Sequence, residues 1–120
     1  MTSPGRESGK SSPGKVRRDI SRTVLERDRF ICQYCGTDGL MSYEAFCTLR
    51  ADLVWGKDDV EQTPERAVTS CAPCATIRGK MVPRALDMSA AMREIREHVA
   101  RRRAEEVEVF VLLRTRYRSR

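Results

Sequence analysis

Two matched cysteine pairs, Cys32-x-x-Cys35 and Cys71-x-x-Cys74, constrain this chain more than any other feature, and 35 residues separate them. A C-x-x-C turn brings two thiolates to one ion, and two such turns complete the tetrahedral sulfur shell that structural zinc prefers, at about 2.3 Å per bond. A redox role would place one pair at a helix start after a strand in a βαβ pattern, and neither pair has those surroundings. A disulfide framework fits poorly with five cysteines, an odd number, and with no apolar stretch behind the basic residues of the N-terminus. A shell of four thiolates leaves no open position, so the expected Zn²⁺ is structural. In small zinc peptides such an ion is worth about 10 to 16 kcal/mol, more than the net stability of so small a core. The fifth cysteine, Cys47, sits in YEAFCTL beside Phe46 and near Leu49, and it reads as a small buried hydrophobe.

The chain of 120 residues and 13.7 kDa has room for one domain. Residues 1–15, MTSPGRESGKSSPGK, lack the apolar area that offsets ordering entropy and read as a disordered basic tail. No apolar run approaches the ~18 residues of a membrane span, which excludes a membrane protein and leaves the cytoplasm as the expected location. A net charge of +6 and a pI near 9.4 make nucleic acid the first partner to consider. The charge is unevenly spread. Residues 1–37 carry +4, residues 38–66 carry −4 and residues 67–120 carry +6.

Ile20 and Val24, four apart among charges, predict a short amphipathic helix within 16–28. A strand is expected over 30–34, turns at Gly36 and Asp38-Gly39, and a short helix in SYEAFCTL capped by Ser42. Alternation of Leu49, Ala51, Leu53 and Trp55 predicts a strand, GKDDVEQTPER a polar loop, and Ala67 to Thr69 a second strand. A helical turn begins at Cys74, and Pro83 stops anything longer. Beyond it, Asp87 or Ser89 caps a helix on which Met92, Ile95, Val99, Phe110, Leu113 and Tyr117 recur near a 3.6 period, with a polar gap at Arg102 and Arg103. The β-branched run VEVFVLL also fits a strand, but one long helix is the preferred reading. The expected division is therefore a tail at 1–15, a zinc-binding domain at 16–84 and a basic amphipathic helix at 85–120.

RTVLERDRFICQYCG and ERAVTSCAPCATIRGK closely resemble the two ends of bacterial HNH endonuclease domains of the four-cysteine type, a likeness covering about residues 20–84. The resemblance implies a small α+β zinc-binding treble clef with an HNH-like ββα-metal core, flanked by a short N-terminal and a long C-terminal helix. In that family a histidine activates water as general base. The aspartate before it and a final asparagine hold a divalent metal at the scissile phosphate. Carried over residue by residue, the Asp-His pair falls on Asp52-Leu53, the middle asparagine on Arg66 and the last asparagine on Ala75. Leucine cannot accept a proton, and a well-placed base contributes about 10²- to 10⁴-fold. Alanine offers no oxygen, so Asp52 alone would remain for Mg²⁺ or Mn²⁺, which only an active enzyme would need. The implied protein keeps the fold and lacks the chemistry.

Other candidates are weighed against plainer roles. His98, the single histidine, reads as a helix-surface residue, and Asp58, Asp59 and Glu61 as a solvated loop rather than replacement metal ligands. Arg78, Lys80 and Arg84 follow the second cysteine pair, where the family's helix lies near DNA, and are the preferred phosphate contacts. Arg101, Arg102 and Arg103 are further candidates, as are the terminal arginines around Tyr117. Tyr34 and Trp55 are expected to pack beside the zinc and the sheet. Three classes remain: a nucleic-acid-binding zinc protein without catalysis, an active nuclease with a rearranged site, and an interaction module using the C-terminal helix toward a protein partner or a second copy.

Overall fold

The computed structural model describes residues 17–56 and 62–118. The expected basic tail and the acidic loop residues Asp58, Asp59 and Glu61 lie outside the described residues.

Helix α1, Arg18–Arg27, carries Asp19 in its first turn and Arg27 in its last, charges of the favourable sign for the helix dipole. It buries the expected pair, Ile20 and Val24. Helix α2, Tyr43–Cys47, starts where the side chain of Ser42 accepts the Ala45 N–H at 3.0 Å. Strands β1, Leu49–Leu53, and β2, Ala67–Cys71, form a two-stranded antiparallel sheet in the register Leu49↔Cys71 to Leu53↔Ala67. A 3-10 turn at Pro64–Arg66 leads into β2, helix α3, Ala72–Arg78, follows it directly, and α4 runs Met88–Arg118.

The short sheet is covered on both faces. Ile20 and Val24 of α1 pack on Leu53 and Ala67, with Ala51 at the margin. On the other side Val54, Val68 and Ile77 meet Ala91, Met92, Ile95 and Val99 of α4, around the cysteines. All five residues of β2 are buried, which makes it the central layer. Asp87 caps α4 by accepting the Ala90 N–H at 3.0 Å, and Glu94 fixes the preceding loop by accepting the N–H groups of Arg84 and Ala85. The VEVFVLL segment is helical: its strand propensity yields to continuation of a helix already nucleated and packed upstream.

Two expectations are corrected. No strand forms over 30–34; Arg29 and Phe30 adopt φ of 56° and 61°, which turns the chain sharply, and only Ile31 bridges to Asp38. Cys47 is exposed, because α2 lies outside the core and buries none of its residues.

Candidate metal centre

The first cysteine pair is positioned by that reversal of the chain. Two non-glycine residues in the left-handed region cost of order 1–3 kcal/mol each, so the surroundings must hold them. Phe30 donates its N–H to Leu25 O at 2.9 Å and accepts from Gly39 N–H at 2.7 Å. A side chain on Gly39 would collide with Leu49 and the Phe30 carbonyl. Asp28 ties the turn to the sheet by accepting the Thr69 N–H at 2.8 Å and two bonds from Arg27. Burial pushes the Asp28 carboxyl up, but these bonds outweigh it and hold its pKa below the usual value.

The loop then closes on itself. Cys32 N–H donates to Thr37 O and Gly36 N–H to Cys32 O, with Gly36 at φ 83°. The Tyr34 N–H points at Cys32 Sγ, 3.4 Å away, and Gln33 N–H donates to Thr69 O, docking the turn on β2. The second pair needs no loop of its own: Cys71 ends β2 and caps α3, and Cys74 lies in the first turn of that helix.

The four sulfurs lie within 4.8 Å of one another, and Cys35 and Cys71 are 3.7 Å apart. A tetrahedron with Zn–S bonds of about 2.3 Å has edges of about 3.8 Å, so the donor set fits this ion. Cys32, Cys35, Cys71 and Cys74 are thus positioned to hold a metal, with Cys35 alone exposed. Without a cation they cannot share negative charge evenly. Hydrogen bonding from Cys74 pulls Cys32 down to about 4, whereas that same bond pushes Cys74 up and burial pushes Cys71 up. A bound dication removes the conflict by stabilising all four thiolates, and with four protein ligands it supplies cross-linking rather than a reactive site.

Helix α4 reaches the centre at two points. Arg96 donates from Nε to Gln33 O at 2.8 Å, and Arg103 from Nη2 to Cys74 Sγ at 3.0 Å. Burial lowers the Arg103 pKa, but the Cys74 bond and the cysteine charges more than reverse this. Of the two arginines in the gap of the apolar stripe, Arg103 thus faces inward while Arg102 is exposed. The spacing of Arg103, one helical turn after Val99, was the available signal.

The positions carried over from the resemblance serve packing. Leu53 belongs to the core under α1, Ala75 sits half-buried on α3, and the Arg66 guanidinium lies 4.6 Å from the centre of the Trp55 ring. Asp52 accepts from Tyr34 Oη at 2.6 Å and from Arg78 Nη1 at 2.7 Å. Arg78 also donates to the carbonyls of Leu53, Val54 and Met81. Burial first, then the Asp52 charge, raises the Tyr34 pKa and keeps the phenol protonated. Arg78 is only 4% exposed, so its assignment to phosphate contact is corrected: its donors are taken up inside the fold. Lys80, Arg84, Arg101 and Arg102 are exposed, while His98 is half-buried and belongs to no metal-ligating cluster among the described residues. Tyr34 is buried and Trp55 packs against the core, its Nε1 donating to Ala85 O at 2.8 Å.

No family model, no curated protein and no solved structure matches this chain. Among the described residues, no helix is long and apolar enough to cross a membrane.

Proposed function

We propose that this protein is a zinc-stapled treble clef of the HNH type that retains the fold without nuclease chemistry and binds nucleic acid through surface basic residues. The order of parts supports the fold assignment: a cysteine turn, an antiparallel strand pair ending at Cys71, then a helix with Cys74 in its first turn. The observation that carries the functional reading is the engagement of Asp52 by Arg78 and Tyr34. A carboxylate that would hold a catalytic Mg²⁺ or Mn²⁺ instead neutralises a buried guanidinium. Leu53, next to it in the chain, and Ala75, on α3, can neither take a proton nor ligate a metal. For binding, Lys80 and Arg84 lie in the loop between α3 and α4, and Arg101 and Arg102 are exposed on α4, Arg102 at 3.7 Å from the Glu105 carboxylate. Such groups give sequence-independent contacts that weaken as salt rises.

A plasmid assay on zinc-loaded protein with Mg²⁺, Mn²⁺ or EDTA tests both halves. The expected result is salt-sensitive gel retardation without nicking, reduced when Lys80, Arg84, Arg101 and Arg102 are changed to Gln. Divalent-dependent nicking would overturn the non-catalytic half, and absence of retardation at low salt the binding half.

A further inference from the structure

Helix α4 extends past everything that covers it. Val99 is its last buried residue, and the following stretch exposes Val107, Val109, Phe110, Val111, Leu112, Leu113 and Tyr117, with Phe110 56% and Leu112 70% accessible. Scattered exposed hydrophobics are ordinary, but a continuous block is not. Within residues 107–113 only Glu108 is polar, so the helix is apolar on most of its circumference, as buried helices are.

We propose that this arm is covered by the same segment of a second copy of the chain, packed antiparallel about a two-fold axis beside Val111. The charge order selects this occupant. Glu105, Glu106 and Glu108 precede the apolar block or border it, and Arg114, Arg116 and Arg118 follow it. An antiparallel copy sets the acidic end of each arm against the basic end of the other. A parallel copy sets glutamates against glutamates and arginines against arginines.

The spacing agrees with the charges. Glu106, Val109, Leu113 and Arg116 recur at intervals of three and four, the seam of a helix pair. Centred on Val111, Val109 meets Leu113 of the partner subunit and Glu106 meets Arg116 of the partner subunit. Along the helix the body reaches as far as Phe110, so room for a second arm depends on which face the seam occupies. Seen along the helix, Val109, Leu113 and Arg116 of this seam lie about a quarter turn from the notch that Arg103, Glu106, Val107 and Phe110 line with Pro73 and Ile77 of α3, and Glu106 borders both. The second arm therefore packs beside the notch rather than in it.

Light scattering on the zinc-loaded full chain at tens of micromolar is expected to give twice the 13.7 kDa chain mass. Val109→Glu with Leu113→Glu is expected to give a monomer with unchanged zinc content and Trp55 fluorescence. The fourfold reversal Glu106→Arg, Glu108→Arg, Arg114→Glu and Arg116→Glu preserves self-complementarity. Mixed with ¹⁵N-labelled wild type, it is expected to self-sort into homodimers by native mass spectrometry. A monomeric wild type would overturn the proposal and assign the arm to a different protein. A dimer that survives the two apolar substitutions would place the interface elsewhere, and free formation of heterodimers would reverse the antiparallel order.

Discussion

Residues 88–99 and 100–118 belong to one helix, yet the first stretch buries Ala91, Met92, Ile95 and Val99 while the second leaves every large hydrophobic exposed. A period of 3.6 marks which face of a helix is apolar and is silent about what covers it. In the first stretch the cover is a two-stranded sheet and four cysteines. In the second no described residue buries them, and the proposed cover is a second copy of the chain. The two halves thus differ in what surrounds them: the body has its own core and a cluster of four cysteines positioned to hold a metal, and the arm has neither.

The sharpest way to break this comparison is to remove the metal. Chelation removes an interaction worth about 10 to 16 kcal/mol and is expected to unfold the body, and Cys71→Ser, which takes away one of the four thiolates, is expected to act in the same direction with a smaller loss. Loss of Trp55 fluorescence and of one zinc per chain reports it. Next in size is Asp52→Ala, which strands the buried Arg78 charge and is expected to cost about 3–5 kcal/mol in urea unfolding of the zinc-loaded protein. A silent substitution would mean that the carboxylate is free for other work and would reopen the nuclease reading.

A direct contrast comes from the helix itself. Ile95 is fully buried, and Ile95→Ala should cost about 2–5 kcal/mol. Leu113→Ala should lie within about 0.5 kcal/mol under dilute conditions, where the arm is uncovered. Equal costs would show that the body covers the arm after all. The smallest effect concerns acid. The Asp28 carboxyl is held below its usual value, so it contributes stability above that value and loses it as pH falls through the folded-state pKa. Asp28→Asn is expected to remove about 1 kcal/mol at neutral pH and to flatten that part of the acid limb in pH-dependent melting.

Much of the body was legible from local rules. The cysteine spacing anticipated the metal-ligating cluster, Ile20 and Val24 the first helix, Ser42 the cap of α2, and the alternation from Leu49 the first strand, and of the two expected caps for α4, Asp87 and Ser89, the first serves. The turn at Arg29 and Phe30 was not, because neither residue signals a positive φ; it is imposed by Asp28, Gly39 and β2 from a distance. Arg78 looked like a surface cation following a cysteine pair. Its burial depends on Asp52, 26 residues earlier in the chain, and on backbone carbonyls that only the folded sheet brings together. Cys47 failed for the opposite reason: apolar neighbours in sequence do not place a residue inside when its short helix sits on the rim.

The bond from Arg103 to Cys74 also bears on how the cluster meets electrophiles. Four thiolates around one dication keep excess negative charge on sulfur, and a thiolate that accepts a guanidinium N–H is a weaker nucleophile than one facing solvent. Cys35 is exposed, with the Thr37 hydroxyl 3.0 Å from its sulfur and Cys71 Sγ at 3.7 Å. Alkylation should therefore begin at Cys35 and reach Cys74 last, an order that peptide mapping reads directly, and the metal would leave through the one exposed corner of the tetrahedron.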